Sequence, residues 1–253
     1  NRQFSHFVGS FPFGRPSISQ AMAQSYSPNP TKNNAETKAQ VTSSFAELWV
    51  AIFPDYMYNQ DNLIMEGSEM KRCRWADPNS ELYIAYHDNE WGRPEHDDRK
   101  LFEMLTLEGF QAGLSWLTIL KKREAFRRAF DNFQPDVIVQ YGPEKVETLM
   151  ADAGIVRNRR KIEAAIRNAW VYLSIQREVG SFDRYLWSFT GGKVILNTDD
   201  EARAHTELSD RISKDLKHRG MSFVGTTIIY AFLQAVGVVN DHELSCFCHP
   251  NNQ

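Results

Sequence analysis

The sequence predicts an all-α protein, and three observations support this fold class. Apolar residues recur every three or four positions in several segments after residue 97, which is the spacing of one helix face. Alternating strand patterns are scarce, apart from the short run Val194-Ile195-Leu196. Glycines separate the helical segments, as expected of chain turns: Gly154, Gly180, the pair Gly191-Gly192, Gly220 and Gly225.

Four helices can be placed from this spacing. Their inward-facing residues are Leu101, Leu105 and Ala112; Ile162, Ala165, Ile166, Ala169 and Leu173; Ile212 and Leu216; and the run Thr226 to Val236. We expect Ser209 to cap the third helix, because a serine hydroxyl accepts hydrogen bonds from a first turn. The fourth helix is apolar nearly all round, which predicts a buried central helix.

Composition sets limits on the class of protein. The 253 residues are 42% hydrophobic and 24% charged, as in an ordinary globular protein. We find no apolar run long enough to span a membrane and no secretory signal, so we expect an intracellular, cytoplasmic protein. We also expect it to be a monomer. The net charge of −3 gives no overall attraction to phosphate, so any DNA binding must use local basic clusters.

The N-terminal part of the chain differs from the rest. Residues 1–44 are rich in Ser, Asn, Gln and Pro, and such a segment buries too little apolar surface to offset its ordering entropy. We predict that residues 1–69 form a disordered or weakly ordered extension and that residues 70–250 form one helical domain. Organelle targeting by residues 1–44 is the less favoured alternative, because arginines are few.

Two Cys/His pairs lie at opposite ends of the predicted domain. Cys73 and His87 stand near its start, and His242 and Cys246 stand four residues apart near its end. Two thiolates and two imidazoles complete a tetrahedral Zn²⁺ shell, which is typical of a structural metal. The nearby residues Cys248 and His249 are alternative C-terminal ligands.

Glu108 occupies an unusual position for a carboxylate. It lies three residues after Leu105 and four before Ala112, on the apolar face of its helix. A buried carboxylate needs a partner, so Glu108 either forms a buried ion pair or faces a pocket. Aromatic residues that can stack on a base occur on both sides of it in the sequence: Trp75, Tyr83, Tyr86, Trp91 and Trp116.

Three basic clusters each lie near a glycine-containing turn. They are Lys121-Lys122-Arg123, Arg157 to Lys161, and Lys217-His218-Arg219. A glycine turn before a helix presents free N–H groups and a positive dipole end to phosphate. The alternative is that each cluster is a solvated helix end.

Several of these segments resemble one known family. They are Arg72-Cys73, Leu82 to Gly92, Leu107-Glu108-Gly109, Gln111 to Trp116, Asp152 to Ile155, Phe223 to Thr227 and Val239 to His242. Together they closely resemble the 3-methyladenine DNA glycosylase I family over residues 70–250. The resemblance implies a helix-hairpin-helix DNA glycosylase fold, in which a zinc site joins the N- and C-terminal parts of the domain.

The resemblance also implies roles for individual residues. Glu108 matches the residue that hydrogen-bonds the flipped base, and Leu114 matches the residue that fills the gap in the duplex. The base pocket would comprise Trp75, Tyr83, Tyr86 and Trp116. Structural Zn²⁺ would be bound by Cys73, His87, His242 and Cys246, and the hairpin that contacts the DNA backbone would comprise Gly220, Gly225 and Thr226.

The implied activity is hydrolysis of the N-glycosidic bond of 3-methyladenine in alkylated double-stranded DNA, leaving an abasic site. We assign no lysine as an imine-forming nucleophile, so we expect a monofunctional base-excision repair enzyme. Many members of the superfamily use an Asp after the hairpin to stabilise the oxocarbenium-like sugar, and Asp241 lies in roughly that region. Because Asp241 adjoins His242, we expect it to support that ligand instead. Phe110 departs from the family pattern and, beside Glu108, is expected to alter the pocket and the lesion range.

Three other functions stay open at this point. The first is a zinc-containing damage sensor without catalysis, although Glu108, Tyr86 and Trp116 together favour an enzyme. The second is a glycosylase for another lesion, such as 7-methylguanine or hypoxanthine. The third is a helical scaffold without a nucleic-acid partner, for which salt-insensitive or absent DNA binding would be the sign.

Overall fold

The computed structural model describes residues 70–253, and the predictions about residues 1–69 lie outside this part. The described chain is predominantly helical and has very little sheet, as predicted. Its helices are α1 (Glu81–Asn89), α2 (Asp98–Gln111), α3 (Trp116–Ala129), α4 (Pro135–Ile138), α5 (Pro143–Ala151), α6 (Arg159–Val179), α7 (Phe182–Ser188), α8 (Glu207–His218) and α9 (Thr226–Ala235). No described helix combines the length and apolarity needed to cross a membrane.

The central helix of the fold is α2, which is buried from Leu101 to Phe110. It packs against α3, α6, α7 and α9, so its apolar residues meet side chains from all sides. Asp97 caps its first turn by accepting from the N–H of Lys100. At the other end Lys161 of α6 donates to the carbonyls of Phe110 and Ala112, at 2.8 and 2.7 Å. This pair of bonds satisfies carbonyls that a helix end otherwise leaves free.

The strand-like run around Ile195 forms a very short sheet. Strand β1 (Ile195–Leu196) pairs in parallel with β2 (Val239–Asn240), with Ile195 opposite Val239. This pairing attaches the segment after β1 to the segment that carries His242. Both segments contribute to the site described below.

The start of α8 differs from the prediction. Thr206 is the N-cap, and Ser209 is the third helical residue rather than the cap. The two side chains form a capping box, since each accepts from the backbone N–H of the other. The helix α9 agrees closely with its predicted bounds, but the prediction that it is the central helix is wrong. It is buried on one side only, with Thr227 exposed, because α2 occupies the centre of the fold.

Candidate active site and candidate metal centre

A pocket of about 380 Å³ lies beside the C-terminal half of α2. Its aromatic wall comes from α1, from the segments on either side of α1 and from the start of α3: Trp75, Tyr83, Tyr86, Trp91 and Trp116. Trp75 stands edge-on to Tyr83, with ring centroids 5.7 Å apart, and Tyr86 is tilted 5.5 Å from Trp116. The structure therefore brings the four aromatic residues of the predicted base pocket together, and it adds Trp91.

Glu108 lies in this pocket and is almost completely buried, with 4% of its surface exposed. Burial raises the pKa of its carboxyl to about 8, and no charged partner among the described residues offsets that effect. A carboxyl group in this state is protonated at neutral pH. A cation placed in the pocket would favour its ionised form.

The buried ion pair expected as the alternative for Glu108 occurs instead at Glu103, on the same helix. Glu103 accepts hydrogen bonds from Arg123 at 2.8 Å and from Arg127 at 2.7 Å. Burial opposes ionisation of Glu103, but the two guanidinium groups outweigh it and lower the pKa of this carboxyl. Glu103 is thus a structural residue, whereas Glu108 faces open space.

Sequence reasoning missed Gln234, and it did not place Asp241 in the pocket. Both residues line it, and Asp241 accepts from the hydroxyl of Tyr230 and the amide of Gln234 through one carboxylate oxygen. The other oxygen is buried without a partner in the described chain. Gln234 was detectable in principle, because it interrupts the otherwise apolar α9.

The expected role of Asp241 as a support for His242 is wrong. The ring nitrogen Nε2 of His242 instead lies 3.1 Å from the carbonyl oxygen of Trp91. The expected effect of Phe110 on the pocket is also wrong. Its side chain is 1% exposed and packs against Phe126 and Phe130 in the core, because successive residues of α2 point in different directions.

Charge in the pocket is predominantly negative. Two guanidinium groups, of Arg74 and Arg203, line it beside six carboxyl groups: Glu108, Asp199, Asp200, Glu201, Asp241 and Glu243. Arg74 pairs with Glu243 at 3.0 Å and Arg203 pairs with Asp199, so both guanidinium groups are already neutralised. The resulting potential favours a cationic ligand.

Cys73, His87, His242 and Cys246 form one buried cluster that could hold a metal ion. The sulfur of Cys73 lies 3.4 Å from Nδ1 of His242, and the sulfur of Cys246 lies 3.4 Å from Nε2 of His87. Sulfur and nitrogen atoms bound to one tetrahedral Zn²⁺ would be separated by about 3.5 Å, given the usual bond lengths. The donor set and its spacing therefore fit this metal.

The surroundings of the four residues also suit a metal centre. Nδ1 of His87 lies 2.7 Å from a carboxylate oxygen of Asp88. A hydrogen bond of this kind orients a histidine that binds a metal through its other nitrogen. The N–H groups of Glu243 and Cys248 donate to the sulfurs of Cys73 and Cys246. Burial raises the pKa of the Cys73 thiol, so a bound cation is needed to hold it as a thiolate.

The residues predicted to contact the DNA occupy two turns. Leu114 is 40% exposed in the loop between α2 and α3, directly after Gly113 with its φ of +81°. Gly220 and Gly225 lie in the turn between α8 and α9, and α9 begins at Thr226. No side chain in the described chain caps the first N–H groups of α9, whereas the hydroxyl of Thr226 donates to Asp210.

All three basic clusters contain residues with structural roles, and in the second cluster these are Lys161 and Arg159. Lys121 to Arg123 lie inside α3 rather than at a helix end, and Arg123 pairs with Glu90 as well as Glu103. In the third cluster Arg219 is paired with Glu178 and Asp215. The guanidinium groups of Arg123 and Arg219 are therefore already occupied by carboxylates.

A helical fold with an aromatic pocket and a buried, unpaired carboxyl group defines a class of protein that encloses a flat ligand. Residues 75–249 match the family model for methyladenine glycosylase. The chain belongs to the methyladenine glycosylase family. It is 50% identical over 187 residues to DNA-3-methyladenine glycosylase 1 of Escherichia coli (strain K12), covering 73% of this chain and 100% of that relative.

Other relatives and solved structures agree. DNA-3-methyladenine glycosylase of Haemophilus influenzae is 45% identical over 180 residues, covering 70% of this chain and 97% of the relative. A crystal structure of 3-methyladenine DNA glycosylase I superposes with a TM-score of 0.69 at 51% identity, covering 71% of this chain and all of the other. A structure of 3-methyladenine DNA glycosylase I from Staphylococcus aureus, described as the structural basis of 3-methyladenine recognition, superposes with a TM-score of 0.68 at 37% identity. The match covers 72% of this chain and 97% of the other.

Proposed function

We propose that this protein is a monofunctional DNA glycosylase that hydrolyses the N-glycosidic bond of 3-methyladenine in alkylated double-stranded DNA. The observation that carries the proposal is Glu108, a buried carboxyl group without a charged partner in an aromatic pocket. The relatives named for this activity support the substrate. The position of Phe110 in the core removes the reason for expecting a different lesion.

The pocket discriminates by charge and by shape. 3-Methyladenine in DNA is cationic, so its bond to deoxyribose is already weakened and needs little help from a general acid. Once the nucleotide is extruded, the rings of Tyr86 and Trp116 attract the cationic base through their π faces. Glu108 ionises when the cation enters, and it then accepts a charge-assisted hydrogen bond that neutral adenine would not induce.

We further propose that Leu114 fills the gap left in the duplex by the extruded nucleotide. Its loop suits this role, because Lys161 anchors the backbone just before it and the leucine side chain is exposed. The turn formed by Gly220, Gly225 and Thr226 joins two packed helices, as in a helix-hairpin-helix. Its free N–H groups at the start of α9 would contact a DNA phosphate.

We also propose that Cys73, His87, His242 and Cys246 bind a structural Zn²⁺. When bound, the metal would hold the two ends of the domain together and keep both thiols ionised. Four protein ligands leave no position for substrate, so the excision would depend on the pocket residues.

Release of free 3-methyladenine from methylated duplex DNA tests the proposed activity. Glu108→Gln should reduce kcat/KM by about 10- to 150-fold, because it removes one hydrogen bond to a charged partner. The exposed Glu124→Gln variant is the matched control and should behave as wild type. No release by the intact wild-type protein would refute the enzyme assignment, and faster release of hypoxanthine or 7-methylguanine would refute the lesion.

A further inference from the structure

The outer face of α6 carries a surface depression of about 440 Å³ beside the turn between α8 and α9. Arg160, Glu163 and Arg167 line it together with Ser222 and Phe223, and we call these five residues the arginine patch. Neighbouring arginines are neutralised, since Arg159 pairs with Glu147 and Arg219 pairs with Glu178. Within residues 70–253, neither Arg160 nor Arg167 has a carboxylate within 4.0 Å of its guanidinium group. The patch thus presents two available guanidinium groups and one carboxylate.

The turn is held rigidly against α6. The amide of Asn168 donates to the carbonyl of Ser222 and accepts from its N–H, both at 2.9 Å. Arg167 also donates to the Ser222 hydroxyl at 3.3 Å. Phe223 has a φ of +55°, which is unfavourable for a side chain of this kind and is maintained by these surrounding contacts. The arginines therefore keep a fixed position relative to the start of α9.

The same turn contacts the helix that carries the pocket carboxyl. Gly109, next to Glu108, lies so close to Phe223 that an added Cβ atom would be 3.4 Å from the Cβ of Phe223. The N-terminal part of α6 also supports the Leu114 loop, through the bonds of Lys161 to Phe110 and Ala112. The pocket, the loop and the arginine patch are thus joined by direct contacts.

We propose that the arginine patch binds the phosphate backbone of the DNA substrate, as an extension of the surface formed by the Leu114 loop and the α8–α9 turn. This inference rests on the proposed function. Guanidinium groups bind phosphate oxygens in a bidentate manner, and the Ser222 hydroxyl adds a donor. The contact is independent of base sequence, because it involves only the backbone. Glu163 opposes it and limits its strength.

Binding of the full chain to a duplex that contains a tetrahydrofuran abasic-site analogue, measured across NaCl concentrations, tests the inference. Each phosphate contact contributes about 0.9 to the slope of log affinity against log salt. The double variant Arg160→Gln/Arg167→Gln should therefore bind more weakly and lose about 0.9 to 1.8 from that slope. Glu163→Gln should change binding in the opposite direction and tighten it.

Arg177→Gln is the matched control, since Arg177 is an exposed arginine on the same helix and lies outside the patch. It should leave the slope unchanged. An unaltered slope in the double variant, or an equal loss in the control, would overturn the inference. Base release by wild type from methylated DNA is measured in parallel. Failure of the proposed function would appear as the absence of released base, independently of the salt dependence of binding in any variant. Tighter binding to single-stranded RNA than to the duplex would also count against it.

Discussion

At the scale of single residues, the two buried glutamates of α2 show how context sets the role of a carboxyl group. Glu103 is 1% exposed and Glu108 is 4% exposed, so the desolvation cost is similar. Arg123 and Arg127 compensate for it at Glu103 and stabilise the charged form. No basic side chain in the described chain stabilises the charged form of Glu108. A cationic ligand could therefore provide the charge that allows this carboxyl to ionise.

The raised pKa of Glu108 predicts a pH-dependent effect of Glu108→Gln on stability. A carboxyl with a folded-state pKa of about 8 and an ordinary value of 4.5 destabilises the fold increasingly as pH rises through that window. Glutamine removes this penalty, so the variant should be more stable than wild type at pH 8, by at most about 5 kcal/mol. At pH 5 the gain should be under about 1 kcal/mol.

Urea unfolding of both proteins at pH 5 and pH 8 measures this difference. Glu124→Gln serves as the control, because its side chain is 71% exposed and lies outside the pocket. A Glu108→Gln effect that is equal at the two pH values would mean that Glu108 ionises freely in the folded protein. If Glu108→Gln unfolds cooperatively in the same experiment, its loss of activity cannot be explained by misfolding and is caused by the change in the pocket.

The sequence was sufficient to place Glu108 on an apolar helix face, because helical spacing is local. It could not decide between an ion pair and a pocket, since the partners of Glu103 come from a different helix. The same limit applies to Phe110, whose direction depends on the packing of α2 against α3. The family resemblance, rather than periodicity, indicated the family to which the chain belongs, and the role of Glu108 in the pocket stays a prediction.

At the scale of elements, the end of α9 is fastened to the loop after α1. The N–H of Gly92 donates to the carbonyl of Gln234, and the N–H of Glu95 donates to that of Val236. Gly237 follows with a φ of +68°, and an added Cβ there would lie 2.2 Å from the carbonyl carbon of Arg93. This close approach fixes α1, which carries Tyr86, relative to α9 and the residues after it.

Gly237→Ala should therefore destabilise the protein by about 3 kcal/mol or more, because it combines a left-handed backbone with a direct clash. Gly191→Ala isolates the first effect, since Gly191 has a φ of +64° but no atom within 4 Å of an added Cβ. It should cost only about 1–2 kcal/mol. Thermal unfolding of the two variants measures both effects. Equal losses of stability would show that the loop carrying Arg93 moves away from an added Cβ at no energetic cost.

Element boundaries followed the sequence where the deciding signals are local. The run from Thr226 predicts α9 correctly, whereas the predicted cap of α8 at Ser209 is wrong by three residues, since Thr206 three positions earlier is an equally good capping residue. The pairing of Ile195 with Val239 required a partner strand far along the chain. No local pattern specifies such a partner.

At the scale of the whole molecule, the candidate metal centre joins residues that are 169 positions apart in the chain, Cys73 and His242. Residues 70–80, which precede α1 in the described chain, form no helix, so a cross-link at Cys73 would fasten this segment to the C-terminal part of the domain. Trp75, which lines the pocket, follows Cys73 by two residues. A metal at this centre would therefore stabilise both the fold and one wall of the pocket.

Removal of the metal should accordingly lower the Tm and weaken base excision together. A loss of a few kcal/mol in a domain of this size corresponds to a decrease in Tm of about 10 °C. Cys246→Ser should contain less than one zinc per chain and show no further response to chelator. Cys248→Ser is the matched control, because Cys248 is buried nearby but lies outside the cluster of four, and it should keep its zinc. If Cys248→Ser lost the metal and Cys246→Ser retained it, the ligand assignment would be wrong; a chelator-independent Tm in wild type would contradict a structural metal altogether.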